Sequence, residues 1–179
     1  HLDVLDQASR IYVNPLVRDA VMADNVAWLG ERRPGERVVL SMHDFHASKH
    51  GLFDDQLGHL LSKRLGHDSY VIGTAFGGGG FRSLGEDMSA GVQQFTLDAP
   101  LPGGLDDAMM LGASDLFALD LARADGPVGD WLDTPTTMWC FGFRFFGADG
   151  AAATLIPKRT FDMLVFAKRV EAARALSKR

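Results

Sequence analysis

The sequence predicts an α/β fold with a mainly parallel central sheet flanked by helices, in a single unit over residues 1–179. Three observations carry that expectation. Apolar runs at Arg37–Met42 and Tyr70–Phe76 flank a segment of helical period, and strand, helix, strand over about forty residues makes the two strands parallel neighbours. The run Phe161-Asp162-Met163-Leu164-Val165-Phe166 is apolar nearly throughout, as in a strand covered on both faces. No repeat, low-complexity stretch or linker divides the chain.

Taken in order, residues 1–13 read as the end of a helix. Asn14-Pro15 starts the next one, since Asn suits the N-cap and Pro at the first helical position gives up only an N–H without a helical partner. That helix runs to about Glu31 and stops before Pro34-Gly35. Arg18, Met22, Asn25 and Leu29 share one of its faces. After the strand at Arg37–Met42, a helix is expected from Phe53 to Leu65. Phe53, Leu57, Leu60, Leu61 and Leu65 keep the helical period, Asp54 and Asp55 begin it, Lys63 and Arg64 end it, and Gly66 caps it. Further strands are expected at Val92–Leu97, Leu116–Leu121, Thr137–Phe143 and Phe161–Ala167, with a helix at Leu105–Gly112.

Composition narrows the function classes. Apolar residues make up 46% and charged residues 23%, an ordinary balance for a soluble globular protein. A net charge of −5 offers no basic footprint, so nucleic acid is not an expected partner. No apolar run reaches membrane-spanning length, so no membrane partner is expected. His1-Leu2-Asp3-Val4 lacks the regions of a secretory signal, and a cytoplasmic location is expected. Cys140, the single cysteine, reads as a buried inert thiol within Met138-Trp139-Cys140-Phe141.

The chemistry concentrates where the Val38-Val39-Leu40 run breaks into His43-Asp44-Phe45-His46. Open α/β sheets collect ligands beyond the carboxyl ends of their strands. Histidine exchanges protons near neutral pH and, when neutral, ligates metals. A divalent metal at His43 and His46 is one reading, although the zincin arrangement of two histidines one helical turn apart beside a glutamate is absent. His50, His59 and His67 read as surface residues. Gly77-Gly78-Gly79-Gly80 lacks the spacing of a dinucleotide fingerprint and reads as a turn, or as a loop passing close to a ligand. Asp87 stands where a serine-hydrolase elbow around Ser89 would need glycine, so an activated water is the better nucleophile. Arg18-Asp19 is either a surface ion pair or part of the same cleft, because its helix leads directly into the His43 strand. Trp131 and Trp139 belong either to the core or to a pocket wall.

Arg18-Asp19-x-x-Met22-Ala23-x-Asn25-Val26-x-Trp28-Leu29, followed by Val38-Val39-Leu40-x-x-His43-x-x-His46, resembles the erythromycin esterase family. The family pattern is RD-x-x-MA-x-NV-x-WL and then a strand ending in W-A-H-N-x-H. The similarity extends through Leu57-Gly58-x-x-Leu61, Leu65-Gly66 and Tyr70-Val71-Ile72-Gly73 to Phe161-Asp162-x-Leu164-Val165-Phe166 and Ala173-Arg174. The resemblance implies the C-terminal portion of a larger fold, whose preceding half carries a further histidine and acidic residues. It also implies a hydrolase that opens a carboxylic ester or macrolide lactone with water activated by histidine, and needs no cofactor. His43, His46 and Arg18 would be catalytic, with Asp44 and Asn25 as substrate-binding residues. A metal-dependent hydrolase and a non-catalytic binding or scaffold piece are the alternatives. Two departures stand out: Asp44 replaces the family's Asn, and Ser41-Met42 replaces Trp-Ala.

Overall fold

The computed structural model describes residues 2–14, 17–50, 55–148 and 150–174. They form two compact units, residues 1–71 and 72–179.

The first unit is helical. It contains α1 (Leu2–Val13), α2 (Arg18–Arg32), α3 (Asp44–Ala47) and α4 (Leu57–Leu65). The helix expected to start at Asn14-Pro15 begins instead at Arg18, with Val17 as its N-cap, and the Asn14 carbonyl accepts the Val17 N–H at 3.1 Å. Pro15, and the first turn expected at Phe53 and Asp54, fall outside the described residues. Pro34-Gly35 stops α2, with Gly35 at φ 83°, and Gly66 stops α4 at φ 54°. The helical period of α4 points Leu57 and Leu61 inward, where they bury Ala23 of α2 with Val26, Met42 and Leu60 alongside. A reciprocal amide pair, Gln7 with Asn25, joins α1 to α2.

The strand expected at Arg37–Met42 does not form: no ladder among the described residues includes it. Apolar composition favours a strand only when a neighbour satisfies its backbone. Here Val39 stays 92% exposed and only Met42 packs against the helical core. His59 also departs from its surface reading, since its half-buried ring donates from Nδ1 to the Lys49 carbonyl at 2.9 Å.

The second unit holds the sheets. In order it contains β1 (Ile72–Phe76), β2 (Gly79–Leu84), β3 (Val92–Leu97), α5 (Leu105–Met109), β4 (Leu116–Asp120), α6 (Gly126–Leu132), β5 (Thr136–Trp139), β6 (Ala152–Leu155), α7 (Pro157–Thr160) and β7 (Met163–Ala167). The three-stranded sheet has the order β1-β7-β4, so the strand carrying the apolar run lies at its centre. Leu164 and Phe166 of β7 are fully buried.

The mixed α/β class holds, but a mainly parallel sheet does not form. Among the described residues the β1–β7 ladder alone is parallel, while β2–β3, β4–β7 and β5–β6 are antiparallel. Residues 85–91 between β2 and β3 are too few for a crossover, which leaves the antiparallel return as the accessible pairing. Thr137–Phe143 is strand only as far as Trp139. The glycine run opens β2 rather than a free loop. It lies against backbone, with Val170 N–H donating to the Gly78 carbonyl and Gly80 N–H to the Val170 carbonyl, both at 3.0 Å. A Cβ on Gly79 would collide with the Val170 carbonyl, so the glycines serve close chain approach.

Trp139 is buried with Leu97, Phe145 and Ala151, and Cys140 beside it is half-buried. The Trp139 backbone N–H donates to Oδ2 of Asp106 at 2.7 Å, tying β5 to α5. Asp106 is 2% exposed and its Oδ1 has no partner among the described residues. Burial pushes its carboxyl up to about 6, against the smaller downward pull of the N–H groups of Trp139 and of its own backbone. A carboxyl whose pKa is raised in the fold binds its proton more tightly there. Its contribution to stability is therefore complete below the unfolded value of 3.8 and lost as pH rises through about 6. Asp106→Asn keeps an acceptor for Trp139 and removes the charge. In urea titrations the variant should gain on wild type as pH rises from 4 to 7, by on the order of 3 kcal/mol at the upper end. A difference that stays flat across this range would contradict the assignment.

Candidate active site

Arg18 and Asp19 begin α2, and acidic side chains suit a helix's first turn. Asp19 is buried, and a buried carboxylate requires donors. Its Oδ2 receives two, the Leu57 backbone N–H at 3.1 Å and Nδ1 of His46 at 2.6 Å. Leu57 opens α4, whose N-cap residue, Gln56, makes no side-chain cap. Asp19 thus caps α4 from a neighbouring helix. The Arg18 guanidinium completes the cluster, with Nε 3.5 Å from Asp19 Oδ1 and Nη2 2.8 Å from His46 Nε2.

These contacts define protonation. Arginine only donates, so His46 Nε2 must accept from Arg18 through its lone pair. The ring proton then sits on Nδ1 and is donated to Asp19. His46 is accordingly an imidazole oriented by a carboxylate, with a guanidinium on its second nitrogen.

His43 carries the other tautomer. It is the N-cap of α3, and its Nδ1 accepts the Phe45 backbone N–H at 3.1 Å. A neutral His43 therefore bears its proton on Nε2. Asp44 occupies the first turn of α3, and its carbonyl accepts both the backbone N–H and the hydroxyl of Ser48, at 2.9 and 2.8 Å. The Phe45 and His46 rings meet edge to face at 5.3 Å.

The structure brings together Arg18, His46 and Asp19, with His43 and Asp44 on the same short helix segment as His46. Asn25 stays apart. It lies two helical turns, about 10 Å, along α2 from Arg18, and its amide is engaged with Gln7. Asp19 and the Leu57 N–H complete the cluster. Asp19 was visible beside Arg18, whereas a backbone donor leaves no trace in sequence.

Metal ligation fits this arrangement poorly. His46 Nε2 is bonded to a cation and its Nδ1 carries a proton, so a metal would have to displace one or the other. Among the described residues no three His, Cys, Asp or Glu side chains are grouped to hold a metal. No described helix is long and apolar enough to cross a membrane.

The helix-capping carboxylate, the oriented imidazole and the adjoining guanidinium lie together in the helical unit of a mixed α/β protein. A family model for erythromycin esterase matches residues 1–170, and the chain belongs to that family. A Bacillus cereus protein of known crystal structure is similar at 22% identity, with a TM-score of 0.72 over 86% of this chain and 38% of that one. A second crystal structure, described as a succinoglycan biosynthesis protein, is similar at 16% identity, with a TM-score of 0.74 and the same 86% and 38% coverage. The chain thus spans well under half the length of either neighbour, and both show its fold. No curated protein matches it.

Gly58, in the first turn of α4, lets α3 approach. A Cβ there would overlap the carbonyl of Ala47 and press on that of Ser48. Gly58→Ala should push α3 away from α4 and draw His46 off Asp19, at a cost of about 1–3 kcal/mol. Chemical denaturation with ring NMR of His46 would register both effects, and an unchanged His46 signature would refute the coupling.

Proposed function

We propose that this protein is a hydrolase of the erythromycin esterase type, acting on a carboxylic ester or macrolide lactone through water activated by histidine. The observation that supports this best is the Asp19–His46 pair, whose carboxylate fixes the ring proton on Nδ1 and directs the Nε2 lone pair toward the Arg18 guanidinium. An imidazole held this way is the arrangement used for general-base catalysis.

In the proposed reaction His46 Nε2 takes a proton from water as the water oxygen bonds to the ester carbonyl carbon. The carbonyl π electrons move to its oxygen, where Arg18 donates to the developing charge and His43, on the same segment as His46, lines the cleft. The tetrahedral intermediate then expels the alkoxide, which takes the proton from His46 as the C–O bond breaks. The products are a carboxylic acid and an alcohol, or a ring-opened hydroxy acid from a lactone. Asp44 adds a negative charge at the start of α3, on the segment carrying both histidines, and so bears on substrate choice. Asn25, bonded to Gln7, has the weaker claim to substrate contact.

The test is hydrolysis of an aryl ester and a macrolide by the full-length protein and its variants. His46→Ala should lower kcat/KM by roughly 10²–10⁴, and Arg18→Ala by about 10²–10³. Chelators should leave turnover intact, and loss of activity on chelation would favour the metal-dependent alternative. Absence of turnover on every ester, with small-molecule binding retained, would turn the reading toward a binding module.

A further inference from the structure

We draw no further inference here: the strongest candidate, the pocket at the turn end of the β2–β3 hairpin, walled by Phe95, Phe145 and Phe146 with Glu86 and Asp87 beside them, carries nothing because the chain spans 38% of its structural neighbours and nothing in the structure shows what covers that face.

Discussion

The first unit is organised by the need of one buried carboxylate for donors. Asp19 is removed from water, and oxygen atoms so placed must be satisfied from within the protein. They draw on three elements: the guanidinium of α2, the ring N–H of His46 in α3 and the first backbone N–H of α4. The stability of the helix packing and the geometry of the site are therefore the same set of bonds. Around it, Gly58 permits the close approach of α3, and Leu57 and Leu61 bury the shared apolar face.

Asp106 in the second unit meets the same need with fewer donors. It too is buried, but its Oδ2 holds Trp139 while Oδ1 is unpartnered among the described residues. Desolvation then dominates and raises the carboxyl toward neutrality. Donor supply separates the two aspartates: Asp19 accepts hydrogen bonds from α3 and α4 beside a guanidinium of its own helix, whereas Asp106 accepts one from β5.

Local features of the fold were legible in the sequence. Helix ends at Pro34-Gly35 and Gly66 follow from backbone chemistry confined to a few residues, and Val92–Leu97 and Phe161–Ala167 carry enough apolar character to mark strands. Pairing was less legible, because the partner and direction of a strand depend on distant segments. The run at Arg37–Met42 shows the limit: its composition is that of a strand, yet no neighbour among the described residues joins it in a ladder. The glycine run shows another, since only the chain at Val170 explains why β2 begins without side chains. At the site, spacing pointed to His43 and His46, and the paired charges to Arg18 and Asp19. The tautomers were not readable, because they depend on Phe45 and Leu57 backbone N–H groups and on the exact approach of Arg18.

The Arg18–His46 hydrogen bond also bears on how binding energy is distributed along a reaction. A guanidinium already bonded internally gains little by exchanging its partner for a neutral carbonyl, so it adds little affinity for the ground state. A fully developed oxyanion repays the exchange with a charge-assisted bond. In the hydrolase proposed above, the interaction would be concentrated where the barrier lies and act on turnover more than on substrate affinity.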